Sequence, residues 1–176
     1  VNTDAVCSVM TKDGTIHARK FINFAGDKDR ICHTLNKIKK VQKNSGSQNT
    51  KKLWRYAKFH NDELARKVAS KITETALEYQ CDVIVFEHLD TKGKKKGSKK
   101  QKLQMWKKNT IQNIVEQKAH KNGIRISHIC AWGTSKLAYD GSGYVLRGTE
   151  AGNKSYSICL FPNGKTYNCD LSASYN

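Results

Sequence analysis

The stretch from residue 64 to residue 87 constrains the fold most. Leu64, Val68, Ile72 and Ala76 recur at four-residue steps, with Ala65, Ala69 and Leu77 beside them. That spacing predicts a helix with one apolar stripe turned toward a core. Cys81-Asp82-Val83-Ile84-Val85-Phe86-Glu87 follows almost at once. A continuous apolar run after an amphipathic helix is the pattern of a buried strand in a sheet covered by helices. It argues for a layered α/β or α+β fold, and 176 residues suffice for one domain with a continuous core.

The rest of the chain fits around that unit. Residues 5–10 and 15–24 are strand-like and flank Lys12-Asp13-Gly14, a strong hairpin signal. From Asp27 the pattern turns helical and basic, a polar loop covers 44–50, and helix resumes at Lys51 or Lys52. After Glu87 comes a lysine- and glycine-rich stretch, residues 91–102, with no core-forming side chains. A helix is expected over 103–121, carrying Trp106, Ile111, Ile114, Val115 and Ala119, with Asn122-Gly123 as its stop signal. Residues 124–129 read as another strand. From Cys130 to Cys169 glycine and serine increase, with turn signals at Asp140-Gly141 and Asn163-Gly164, which suggests an irregular insertion. Residues 170–176 read as the start of a helix.

Charge narrows the function. Lysine and arginine outnumber aspartate and glutamate 32 to 15, a net charge of +17, and a polyanion such as nucleic acid is the usual partner for such an excess. Lys94, Lys95, Lys96, Lys99 and Lys100 concentrate it with no acid nearby, the composition of a phosphate-holding segment. Trp54, Tyr56 and Phe59 interleave with Lys52, Arg55 and Lys58, as base-stacking side chains would, although core packing of at least one of them is expected. No apolar run approaches the roughly 20 residues that cross a bilayer, and no secretory signal is read at the start, so an intracellular protein without membrane contact is expected. Six cysteines occur without a CxxC pair, consistent with reduced thiols, several of them buried. The six histidines form no motif.

Two carboxylates stand out by position. Glu87 closes an apolar strand, where an ionised group is costly unless compensated. Asp170 lies where a strand-like run passes into a helix. Metal-dependent phosphodiester cleavage needs carboxylates from different elements converging on Mg²⁺ or Mn²⁺. The plainer readings are a strand-end glutamate in solvent and an aspartate capping a helix.

Beyond these general patterns, specific motifs carry a family resemblance. The segment VIVFEHLD resembles the second RuvC motif of TnpB (OrfB-type) insertion-sequence proteins, and YNCDLSASYN resembles their third, an aspartate at a helix start. KAHKNGIRISHI between them, and VNTDAVCSVMTKDGTI at the opening, resemble the intervening helix and strand and the stretch after the first motif. Compact type V CRISPR effectors share this domain. The resemblance implies an RNase H-like (RuvC) fold, a mixed sheet flanked by helices, with residues 1–130 as the nuclease core, 131–169 as an insertion related to a zinc ribbon, and 170–176 beginning the final core helix. It implies Glu87 and Asp170 as ligands of Mg²⁺ or Mn²⁺, DNA and a guide RNA as partners, a bacterial cytoplasmic location, and target-directed DNA hydrolysis by a transposon-encoded parent.

Two departures from the family pattern carry expectations. The first motif, an aspartate in a Gly-Ile-Asp-Leu-Gly strand, is not in this sequence, and Asp4 lies past its position and is not expected to replace it. The chain by itself is therefore expected to be poorly stable and not to cleave DNA. In the insertion, Thr134-Ser135 is present, but Ala138, Gly141 and Pro162 stand where the family has cysteines, leaving Cys159 as the one aligned ligand. Zinc needs four donors, so none is expected, and hydrogen bonds together with Trp132, Tyr139, Tyr144 and Phe161 are expected to hold the segment instead. The rival reading is a nuclease-derived, repressor-like protein that binds RNA and DNA without cutting. A structural RNA-binding protein would explain the charge but not the strand ending in Glu87.

Overall fold

A computed structural model describes residues 4–45, 50–88, 107–152 and 155–176. The elements are β1 (Ala5–Met10), β2 (Ile16–Ile22), α1 (Ala25–Ser45), α2 (Lys51–Glu78), β3 (Val83–His88), α3 (Lys108–Lys121), β4 (Arg125–Cys130), β5 (Leu146–Arg147), β6 (Ile158–Leu160), β7 (Thr166–Asn168) and α4 (Cys169–Ala173). The lysine-rich segment holding Lys94, Lys95, Lys96, Lys99 and Lys100, with Trp106, lies outside the described residues.

The hairpin forms as its turn chemistry dictates. Gly14 takes φ 87°, where a side chain would be strained, and Asp13 accepts from the Thr15 amide (3.2 Å) and hydroxyl (3.0 Å). β1 and β2 pair antiparallel from Ala5↔Ile22 to Met10↔Ile16, with an irregularity at Val9/Met10. β3 and β4 pair parallel and in step, Val83↔Arg125 through His88↔Cys130. A parallel pair needs a crossover, and α3 supplies it, ending at Gly123 with φ 71°. Lys107 to Asp62 and Lys118 to Ser70 Oγ, at 2.8 and 2.7 Å, fasten this crossover to α2.

The stripe on α2 is buried at Ala65, Val68, Ala69, Ile72 and Ala76. Around Val68 and Val115 gather Ala5 and Cys7 of β1, Ile22 of β2, Ile84 and Phe86 of β3, and Ile126 of β4. Leu77, expected beside the stripe, is exposed, because it falls on the far side of the helix from Val68 and Ile72. A second correction concerns β3. Its residues alternate, Ile84 and Phe86 inward and Val83 and Val85 exposed, because the helical layer covers one face of a two-stranded sheet. The expected single mixed sheet is also divided: the described strands form the β1-β2 pair, the β3-β4 pair and an antiparallel β5-β6-β7 sheet. The first two share the apolar cluster without a hydrogen-bonded strand between them among the described residues.

The third sheet has its own core of Ala138, Cys159, Phe161 and Cys169, joined by Tyr139, Val145 and Tyr167. Tyr139 meets Phe161, Tyr167 and Tyr175 at ring-centroid distances of 5.6, 5.1 and 5.0 Å. Such aromatic pairs add to burial. Trp132 and Tyr144, expected in this role, are 83% and 68% exposed; Tyr167 and Tyr175 do that packing instead. All six cysteines are free thiols, with Cys159 and Cys169 buried.

Candidate active site

Glu87 is the penultimate residue of β3, at the carboxyl end of the parallel pair, the edge where open α/β sheets bind ligands. It is half-buried. Its Oε1 accepts a hydrogen bond of 2.7 Å from the Thr134 hydroxyl, whose single proton is shared with the Ala131 carbonyl at 3.1 Å. The charge of Glu87 also acts on Lys108. Desolvation holds the Lys108 ammonium below its usual pKa, and Glu87 opposes that shift.

Asp170 occupies the first turn of α4 and is exposed. It is not the cap of that helix. The Asn168 side chain is, accepting from the Leu171 amide at 3.0 Å, a role that sequence reasoning missed although asparagine before a helix signals it. The Asp170 carboxylate is thus not engaged in capping.

The tail of α4 ties the two carboxylate-bearing segments together. Asn176 Nδ2 donates to the carbonyls of Thr134 (2.8 Å) and Leu137 (2.9 Å). Ser8 of β1 donates to the Ser174 carbonyl at 2.6 Å, and Arg19 of β2 donates to the Tyr175 hydroxyl. Thr134 therefore receives the end of the α4 segment through its backbone and holds Glu87 through its side chain.

Asp4 is used otherwise. Its Oδ2 accepts from the Phe24 amide at 2.7 Å and its Oδ1 meets Lys28 at 3.3 Å, where the chain enters α1. Carboxylates are hard oxygen donors that suit Mg²⁺ or Mn²⁺, so Glu87 and Asp170 fit such an ion in chemical type. In number they fall short, since no group of three or more His, Cys, Asp or Glu among the described residues is placed to hold a metal.

No family model matches the chain. A curated relative, the TnpB-like protein aq_aa05 of Aquifex aeolicus (strain VF5), is 26% identical over 183 residues, covering 94% of this chain and 58% of the relative. The chain is similar to proteins of the TnpB type. The chain spans somewhat more than half the length of that relative. Its fold matches part of the protein solved in the Cas12f1-sgRNA-target DNA complex, with TM-score 0.69 and 18% identity over 92% of this chain and 45% of that one. The C2c1 protein of Alicyclobacillus acidoterrestris with single-guide RNA matches with TM-score 0.62 and 14% identity over 90% of this chain and 20% of that one. Among the described residues, no helix is long and apolar enough to cross a membrane.

Proposed function

We propose that this TnpB-type chain is the RuvC-like nuclease part of an RNA-guided DNA endonuclease, with Glu87 and Asp170 as two of its metal-binding carboxylates. The observation that carries the reading is the placement of Glu87 at the carboxyl end of β3, held by Thr134, which in turn receives the end of the Asp170-bearing segment through Asn176. A bound Mg²⁺ or Mn²⁺ supplies activation of water and stabilisation of the leaving oxygen. The chain's own part is to hold the two carboxylates on separate, cross-tied elements and to orient Glu87 through a donor hydroxyl.

The division of the sheets supports the same reading. Among the described residues β1 and β3 each have one strand partner, and both pack on one apolar cluster. A strand carrying a third carboxylate, seated between them, would join the two pairs into a single mixed RNase H-like sheet. Residues 1–130 then form the nuclease core, 131–169 an insertion with an aromatic core in place of zinc, and 170–176 the start of the last core helix. DNA and guide RNA are the proposed partners, the classes of nucleic acid present in the Cas12f1 complex.

Mn²⁺ titration with cleavage of plasmid and single-stranded DNA tests the reading. Expected is Mn²⁺ binding that Glu87→Gln and Asp170→Asn each weaken, with no cutting by this chain alone. Mn²⁺ binding indifferent to both changes would overturn it. A second reading, a nucleic-acid-binding protein that does not cut, is favoured by the engagement of Asp4 with Phe24 and Lys28, which leaves two carboxylates at the site. Strong nucleic-acid binding without any Mn²⁺ affinity would support it.

A further inference from the structure

The first ten residues of α2, Lys51 to His60, have no part in the site above. One side of this stretch is seated in the protein through Ala57, followed by Asn61. On the remaining surface Trp54, Tyr56 and Phe59 are 36%, 48% and 59% exposed. Core packing, expected for at least one of them, is realised by none. At about 100° per residue, Arg55 and Lys52 flank Phe59, Lys52 lies one turn before Tyr56, and Lys58 lies one turn after Trp54. Arg55, Phe59, Lys52 and Tyr56 therefore share one face within an arc of about 100°, while Lys58 and Trp54 lie to its side. Ring and cation alternate across that face instead of segregating into an apolar and a basic side as in a membrane-surface helix.

The aromatic rings are supported from one side. His60 sets its ring against Tyr56 at 4.2 Å and 68°, and against Phe59 at 5.5 Å and 80°. Edge contacts of this kind restrict both rings while leaving their outer faces open. The electrostatics point the same way. Lys51, Lys52, Arg55 and Lys58 form no ion pair among the described residues, whereas the nearest acids are engaged, Asp62 with Lys107 at 2.8 Å and Glu63 with Arg66 at 3.3 Å. The face thus offers positive charge and flat apolar rings, with the acids at its border already paired.

We propose that this face of α2 is a stacking platform for single-stranded nucleic acid, Tyr56 and Phe59 receiving bases while Lys52 and Arg55 hold phosphates. A single strand is the polymer that presents a π-face beside each phosphate, whereas a duplex keeps its bases inside the stack. The inference stands on α2 alone and does not depend on Glu87 or Asp170.

The test uses the full chain and end-labelled oligomers of about 15 units, near the upper site size of single-strand binders. Oligo-dT, oligo-rU, an abasic deoxyribose-phosphate chain of equal length and a DNA duplex are titrated by fluorescence anisotropy at several salt concentrations. The Tyr56→Ala/Phe59→Ala protein is expected to bind oligo-dT and oligo-rU about tenfold more weakly or worse, with the abasic chain and the salt slope unchanged. The Lys52→Ala/Arg55→Ala protein is expected to weaken on all ligands and to lose about 1.4 from the salt slope, at roughly 0.7 per phosphate of a single strand. Comparison of dT with rU reads the preferred sugar. Tyr56→Leu/Phe59→Leu keeps apolar bulk without flat rings, so it guards against a folding defect and is expected to show the same loss. An aromatic variant that loses nothing, loses equally on the abasic chain, or loses chiefly on duplex overturns the proposal.

Discussion

The Thr134 hydroxyl donates to Glu87 Oε1 at 2.7 Å across 47 positions of sequence. The same residue accepts the Asn176 side-chain amide on its carbonyl. One threonine thereby couples the end of β3 to the end of the α4 segment, and its removal is informative. Thr134→Val keeps the shape and deletes the donor beside a half-buried carboxylate. The expected cost is about 1–3 kcal/mol, read as a lower urea midpoint with unchanged slope. An unchanged midpoint would show that water replaces the hydroxyl without loss.

The Glu87 charge should be readable at Lys108. Desolvation lowers the Lys108 pKa first, and Glu87 partly restores it. Glu87→Gln removes the restoring charge, so Lys108 is expected to titrate at lower pH in the variant than in the parent. A carbon-detected NMR titration of the lysine Cε resonances checks this, and an upward or absent shift contradicts it.

The thiols give a pH dependence with a definite sign. Burial pushes both Cys7 and Cys159 from 9.0 up to about 11. A group whose folded pKa is raised contributes stability that is complete below the unfolded pKa and lost as pH climbs through the folded one. Stability is therefore expected to decline between pH 9.0 and about 11, and Cys7→Ala is expected to flatten that decline. Alkylation at about pH 8, near the ordinary thiol pKa, should reach the exposed Cys32 and Cys130 well before Cys7, Cys159 or Cys169.

Phe161 anchors the smaller core and is nearly fully buried. Phe161→Ala is expected to cost about 3–5 kcal/mol. Hydrogen exchange should localise the loss to β5, β6, β7 and the turn at residues 134–145, leaving the α2-α3 amides protected. Loss spread evenly over both cores would show that they unfold as one unit.

Some of this molecule is written in short stretches of sequence. The β1-β2 turn follows from Asp13 and Gly14, whose hydrogen bonds and dihedral preference operate within a few residues. The end of α3 at Gly123 and the stripe from Ala65 to Ala76 follow from backbone freedom and helical period in the same way. Side-chain surroundings are less legible. Leu77 resembles its buried neighbours in type, yet one position of helical rotation beyond Ala76 leaves it in water. Val83 and Val85 are as apolar as Ile84 and Phe86, but α2 and α3 cover one face of β3 only. Trp132 and Tyr144 lie outside the cluster that Tyr167 and Tyr175 complete, and the open aromatic face at Tyr56 and Phe59 could not be told from a packed one by composition.

The sequence by itself determined the identity and order of the elements as far as Cys130, because hydrophobic period, turn residues and helix stops act over a few residues of chain. The antiparallel sheet of β5, β6 and β7, by contrast, lies in a stretch that read as irregular. Tertiary structure alone decided how each carboxylate is engaged. Asp4 is bound by Phe24 and Lys28, Asn168 relieves Asp170 of capping α4, and Thr134 reaches Glu87. The last of these joins groups 47 residues apart, and such partners are chosen by how β1, β3 and α4 come together rather than by any local propensity.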